Sequence, residues 1–264
     1  MDFFQNKVIW ITGASSGIGE HLTYELGKSS AKIVISARRA EVLEKVKNAC
    51  TFPQNITVLP LDLSKPETFT TAVEKITSDL GRIDILVNNG GISQRSRAEE
   101  TPVEIDRKVM EVNFFGNIAL TKAVLPTMKR QGSGKIVVTS SLMGKFGFFL
   151  RSAYAASKHA LHGFYDSLRL EMEDDGISVL LLCPGFIRTD ISKNALDSSG
   201  KKTGEMDDNQ DSGMSPDKAA KEIVRAIRKN KKEVLIGKGE TFGAYMKRFA
   251  PGLFHKILKK KSAK

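Results

Sequence analysis

Apolar residues in this chain follow two rhythms that alternate from the start. Short continuous runs rich in Val, Ile and Leu occupy residues 7–12, 31–36, 56–61, 83–87, 135–139, 177–183 and 233–236. Between them lie stretches with apolar residues three and four apart, at 17–28, 40–49, 102–130, 153–174 and 216–229. One more runs to residue 80, with Ser64 as its expected cap and Pro66 in its first turn. Continuous runs predict strands buried on both faces, and the wider spacing predicts amphipathic helices. Their alternation predicts an α/β fold: a doubly wound parallel sheet of about seven strands, helices on both faces, and a single domain over 1–264. Right-handed crossovers would put a ligand crevice at the carboxyl ends of the strands.

Two segments break the rhythm. Residues 192–215 are polar and rich in Asp, Ser, Gly and Lys. A long irregular stretch at the crevice end of a sheet predicts a lid over the substrate. Residues 240–264 carry Phe242, Tyr245, Met246, Phe249, Leu253 and Ile257 at helical spacing among Lys247, Arg248, Lys256 and Lys259-Lys260-Lys261, with Pro251 interrupting any single helix. For this basic amphipathic segment the favoured reading is packing over the pocket or a subunit interface, with the lysines solvated. The competing reading is peripheral contact with an anionic membrane surface.

Charge changes the picture less than its total suggests. The formal net charge is +11, but residues 201–264 hold 17 Lys/Arg against 8 Asp/Glu, whereas residues 1–200 are nearly balanced. A basic tail without base-stacking or groove-reading motifs does not point to nucleic acid. Cys50 and Cys183 are too few for a disulfide framework, and the four histidines show no ligand spacing, so no metal is expected. No signal peptide, membrane anchor or membrane-length apolar run is expected, and the setting read from these features is cytoplasmic.

The chemistry concentrates between Ser141 and Lys158. Tyr154 and Lys158 are four apart and would share one helix face. A free phenol titrates near pH ~10, and a neighbouring ammonium would favour its ionised form. A serine hydroxyl at the same point could hold a carbonyl or alcohol oxygen. Upstream, the glycine-rich stretch Gly13, Ser15, Ser16, Gly17, Ile18, Gly19 follows the first predicted strand and opens the first helix. That arrangement suits a diphosphate at a helix N-terminus.

Taken in order, the G-x-x-x-G-x-G loop, Asn88-Asn89-Gly90-Gly91, Asn113, Ser141, Tyr154-x-x-x-Lys158 and Pro184-Gly185 resemble the short-chain dehydrogenase/reductase family over roughly residues 5–190. Within it the chain is most similar to the hydroxysteroid and retinol dehydrogenase-like members. Gly90, where the family usually has alanine, is a departure that touches no reacting group. The resemblance implies a Rossmann-type fold and a nicotinamide cofactor. It assigns Tyr154 as general acid/base, Ser141 (rather than Ser140) as the residue orienting the substrate oxygen, and Lys158 as the ligand of the nicotinamide ribose. Asn113 would hold a water linking Lys158 to solvent. Asp62, Leu63, Asn89, Ile187 and Thr189 match positions lining the cofactor, as do Pro184 and Gly185. The second predicted strand ends in Ser36-Ala37-Arg38-Arg39, with no carboxylate for a ribose hydroxyl and two guanidiniums for a 2′-phosphate. NADP(H) is therefore expected, with Arg38 the main contact and Arg39 secondary. Phe146, Phe148, Phe149 and Leu150 would make one wall apolar, which favours a lipophilic ketone or aldehyde. The alternatives are a 3-ketoacyl-thioester reductase of the same family and a non-catalytic dinucleotide sensor or scaffold. Family members commonly form homodimers or homotetramers, which is the expected assembly.

Overall fold

The computed structural model describes residues 2–262. Met1 and the last two residues of the 240–264 segment lie outside them. Among the described residues seven parallel strands form one sheet: β1 (Val8–Thr12), β2 (Lys32–Ser36), β3 (Ile56–Val58), β4 (Ile85–Asn88), β5 (Gly134–Thr139), β6 (Ile177–Pro184) and β7 (Glu233–Ile236). Their spatial order is β3-β2-β1-β4-β5-β6-β7, which reverses direction beside β1 and opens a crevice there. The helices are α1 (Gly17–Leu26), α2 (Ala40–Asn48), α3 (Phe69–Leu80), α4 (Val103–Met110), α5 (Gly116–Gln131), α6 (Ser152–Glu171), α7 (Asp208–Asp211), α8 (Pro216–Arg228), α9 (Phe242–Phe249) and α10 (Pro251–Ser262).

The continuous apolar runs explain themselves once both faces are seen. In β1, Ile9 and Ile11 pack with Leu22 and Leu26 of α1, Leu43 of α2 and Ile223 of α8. Val8 and Trp10 point the other way, onto Phe69 of α3, Leu120 and Val124 of α5 and Leu161 of α6. Each such fully buried side chain contributes roughly 1.5–3 kcal/mol relative to exposure. Trp10 also satisfies its indole N–H on Ser36 Oγ at 2.8 Å, so the ring costs no buried donor.

Three local expectations are corrected. The third strand is three residues long, although Leu59 and Leu61 beyond it still donate to Ile35 O and Ala37 O, each at 3.0 Å. Ser64 does not cap a helix: its amide and hydroxyl both donate to Asp62 Oδ1, at 3.0 and 2.8 Å, and Pro66 opens a separate 3-10 turn before α3 starts at Phe69. The helix expected over 102–130 is divided into α4 and α5 by a π-helical turn, Glu111–Phe115, centred on Asn113. Widened turns of this kind recur at functional sites.

Candidate active site

A cleft of about 1560 Å³ opens at the carboxyl ends of β1, β2, β4, β5 and β6. Its floor is organised by the loop from β1 to α1. Gly13 and Gly17 have φ of +64° and +59°, a region closed to most side chains. A Cβ on Gly13 would fall 2.6 Å from Gly90 Cα. Ser15, Ser16, Gly17 and Ile18 line the cleft beside the N-terminus of α1. Gly19 does not line it. Its missing Cβ lets α1 approach Gly13 O, to which a methyl would come within 2.4 Å, so it shapes the loop from behind.

Asn89 does more than line a wall. Its Nδ2 donates to Thr12 O and Gly13 O at 3.2 and 3.3 Å, and its Oδ1 accepts from Thr139 Oγ1 at 3.2 Å. The amides of Asn89 and Gly90 both donate to Thr12 Oγ1 at 3.1 Å. One amide side chain thus ties together the ends of β1, β4 and β5. At the far end of the cleft stand Arg38, Arg39, Asp62 and Leu63, and Pro184, Gly185, Ile187 and Thr189 form the facing wall. The left-handed glycine cradle, the helix N-terminus and the two exposed guanidiniums fit a phosphate-bearing dinucleotide laid across the strand ends.

The structure brings Ser141, Tyr154 and Lys158 together in this cleft. Ser141 Oγ accepts from the Met143 amide at 3.1 Å and donates weakly to Pro184 O at 3.4 Å, and it stands close enough to the Tyr154 phenol to favour its ionised form. Ser140 is committed elsewhere: its Oγ donates to Lys158 O at 3.0 Å and meets His162 Nε2 at 3.1 Å. Its geometry thus leaves Ser141 as the hydroxyl presented to the cleft. Lys158 Nζ donates to Thr139 O at 2.8 Å and lies 5.7 Å from the centre of the Tyr154 ring. Asn113 is pinned on both sides, accepting from Ile92 N at 2.8 Å and donating to Ile92 O and Ser157 Oγ at 2.9 and 3.0 Å. A Cβ on Gly91 would stand 3.0 Å from Asn113 Oδ1 and 3.6 Å from Lys158 Nζ, which fixes how near the two come.

Electrostatics here differ from the sequence expectation. Burial raises the Tyr154 pKa, and the Ser141 hydroxyl and Arg151 only partly oppose it. Burial also pushes Lys158 down to about 8. Desolvation therefore outweighs the Ser141 and Arg151 contributions that favour the phenolate, because the charged form is withdrawn from water. The sign for stability follows. Below pH 8 the folded protein holds a buried ammonium that the unfolded chain would hydrate freely, and that penalty fades as pH rises toward the ordinary lysine value of ~10.4. Thermal melting of the cofactor-free protein from pH 7.5 to 9.5 should shift in favour of wild type over Lys158→Met by roughly 2 kcal/mol. A pH-independent difference would contradict the depressed pKa.

The inner half of the cleft is apolar on one side, with Phe146, Phe148, Phe186, Met246 and Phe254. Phe146 packs edge-on to Phe254 of α10, ring centres 4.9 Å apart, so the C-terminal segment borders the pocket. Phe149 and Leu150 also line the cleft but are partly exposed, to 44% and 41%. Residues 192–215 border the same space through Ser192, Leu196, Lys202 and Asp207, and Leu196 bridges to Gln94. Sequence reasoning overlooked Arg95 and Arg151, which also line it. Arg151 stands three residues before Tyr154, a spacing that could have been noticed; Arg95 lies in a loop that carries no local signal. His162, Cys183 and Glu233 also gather behind Ser140. Lys145 Nζ sits 2.6 Å from Glu233 Oε2 and 3.3 Å from His162 Nδ1, so an ammonium already fills the place a metal would need.

Comparison with known proteins bears on this geometry. A family model described as short chain dehydrogenase matches residues 7–199. The chain is 41% identical over 266 residues to a dehydrogenase/reductase SDR family protein 7-like of Drosophila melanogaster, covering 98% of this chain and 81% of that protein. Among solved structures it is similar to a short chain dehydrogenase/reductase from Burkholderia phymatum in complex with NAD, with TM-score 0.84, 20% identity and 96% of each chain covered. At that identity the likeness concerns the fold. It is also similar to an alcohol dehydrogenase from Thermococcus sibiricus complexed with 5-hydroxy-NADP, with TM-score 0.74, 27% identity, and 88% of this chain and 97% of the other covered.

Proposed function

The chain belongs to the short-chain dehydrogenase family, and from that premise we propose that it is an NADP(H)-dependent oxidoreductase interconverting a carbonyl and an alcohol on a lipophilic substrate. The observation that carries this reading is the convergence of Ser141, Tyr154 and Lys158 on one point of a cleft whose other half suits a dinucleotide. The bound nicotinamide supplies or accepts the hydride. The protein's own groups handle the oxygen. Ser141 holds it by hydrogen bond, and Tyr154 donates a proton as the carbonyl becomes an alcohol or takes one in the reverse direction. A raised phenol pKa keeps Tyr154 protonated, ready to act as the acid. Lys158, titrating near 8, sits where a proton could be passed on, and Asn113 beside it lies on the route the family uses toward solvent. Arg38 and Arg39, with no carboxylate at the end of β2, support the 2′-phosphorylated cofactor. The direct test is NADPH consumption across steroids, retinoids, short ketones and acyl thioesters. No turnover of any carbonyl by wild-type protein would favour a sensor or scaffold instead.

Lipophilic substrates reach an aqueous enzyme most readily from a lipid surface, and the mouth of the cleft supports such docking. Phe242, Tyr245, Phe249 and Leu253 are exposed, Phe249 to 81% and Phe242 to 63%. Lys247, Arg248 and Lys256 stand among them, and Phe242, Ile257 and Lys260 also border the cleft. Pairing this face with a second copy would bring like charges together, whereas an anionic bilayer complements them. Among the described residues no helix is long and apolar enough to cross a membrane, so contact would be peripheral. Full-length protein should sediment with phosphatidylserine-containing vesicles and be released by salt, and Phe242→Asp/Phe249→Asp should abolish this. Equal sedimentation of that double variant would refute the docking face.

A further inference from the structure

Two guanidinium groups meet in the inner cleft, and neither belongs to the proton-transfer set. Arg151, at the start of α6, is only 7% exposed. Its Nη1 donates to Gln94 O at 2.9 Å, and its Nη2 stands 3.7 Å from Asp207 Oδ2. Arg95 follows Gln94 in the chain, and its amide donates to Leu196 O at 2.8 Å. Its Nη1 is buried and has no hydrogen-bond partner. Arg95 is near enough that its charge works against that of Arg151.

The local charge does not cancel. Among the described residues Asp207 is the one carboxylate paired with this couple. Asp190 is engaged with Lys193, Glu240 accepts from the amides of Phe186 and Lys238, and Glu111 and Asp208 are exposed. A positive charge is thus left over in a partly dry space bordered by Ser141 and Tyr154 on one side and phenylalanines on the other. A buried guanidinium donor without an acceptor carries a desolvation cost that the fold does not recover. Such a group makes sense where a ligand completes it, and guanidinium forks match phosphate and carboxylate oxygens.

We propose that Arg95 and Arg151 form a subsite for an anionic group of the substrate, a phosphate or a carboxylate, placed a short distance from the carbonyl held at Ser141 and Tyr154. The substrate is then an amphiphile, with an apolar chain along Phe146, Phe148 and Phe186 and a charged head at the arginines. Both arginines also touch the 192–215 segment, Arg95 through Leu196 and Arg151 through Asp207, so the head meets that segment as it enters. This rests on the reductase reading above and narrows its substrate class.

The test is binding of three non-reducible probes, octyl phosphate, octanoate and octanol, by calorimetry in saturating NADP+. The cofactor fills the other phosphate-binding positions, so the probes report on the inner cleft. The charged probes should bind at least about tenfold more tightly than octanol, and Arg95→Gln should weaken them by roughly 10–100-fold, the range for a charge-assisted hydrogen bond. Arg95→Lys, which keeps the charge without the fork, should fall between. Preference for octyl phosphate identifies a phosphate head, and preference for octanoate a carboxylate. Octanol binding as tightly as both charged probes overturns the subsite, as does Arg95→Gln or Arg95→Lys binding octyl phosphate at full strength. Loss of anion binding with neutral ketones still reduced removes the subsite alone; intact anion binding without turnover of any carbonyl removes the reductase reading.

Discussion

Tyr154→Phe should lower the rate of NADPH-dependent carbonyl reduction by about a thousandfold or more, at the upper part of the 10²–10⁴ range for a positioned general acid. The substitution removes one oxygen and keeps the ring that packs beneath Lys158. Only the proton donor disappears, together with its interaction with Ser141. Thermal melting should therefore stay near that of wild type while turnover collapses. The buried phenol has no nearby substitute: Ser141 is an alcohol of still higher pKa, and the Lys158 ammonium is held by Thr139 O. Turnover within a few fold of wild type would show that the proton comes from elsewhere and would dismantle the mechanism.

The second large effect concerns cofactor choice. Arg38→Asp should reduce the ratio of kcat/KM for NADPH over NADH by about a hundredfold. Losing a charge-assisted pair costs roughly 1.5–3 kcal/mol, and a carboxylate in its place repels a 2′-phosphate while accepting from a ribose hydroxyl. Both changes move the ratio the same way. Arg39→Ala should shift it less, since Arg39 is the residue N-terminal to α2 and not the end of the strand turn. Arg38 also helps hold the neighbouring Asp62 ionised, against desolvation and alongside the Ser64 amide and hydroxyl. Placing a second carboxylate there adds like-charge repulsion, so some stability loss is expected with the altered preference. An unchanged ratio would remove Arg38 from cofactor recognition.

Much of the molecule was legible locally. Strands buried on both faces must be apolar throughout, so each appeared as a continuous run, and all seven occur in the sheet. The glycine loop was legible for a related reason: positive φ at Gly13 and Gly17 excludes most other residues. Boundaries were less so. Nothing within 102–130 announces the π turn at Asn113, because that turn is held by Ile92 and Ser157, twenty-one and forty-four positions away. The expected cap at Ser64 failed because Asp62, two residues earlier, captured its hydroxyl.

The site divides along the same line. Tyr154 and Lys158 were bound to share a face by helical spacing alone, and the thirteen-residue separation from Tyr154 pointed, through the family resemblance, to Ser141 rather than Ser140. The tertiary structure adds a physical reason for that choice, since Ser140 is drawn away by Lys158 O and His162. The direction of the Tyr154 shift also needed it, because desolvation depends on what surrounds a group and not on its neighbours in sequence. The C-terminal helices show the division most clearly. Their apolar spacing was evident, but only the folded chain determines that Phe254 turns inward onto Phe146 while Phe249 stays outside. Spacing and residue type thus determined the fold class, the glycine cradle and the shared helix face of Tyr154 and Lys158. The unpaired arginine, the pull on Ser140 and the charge states were decided by groups far apart in sequence, since burial and hydrogen-bond partners exist only once those groups are brought together.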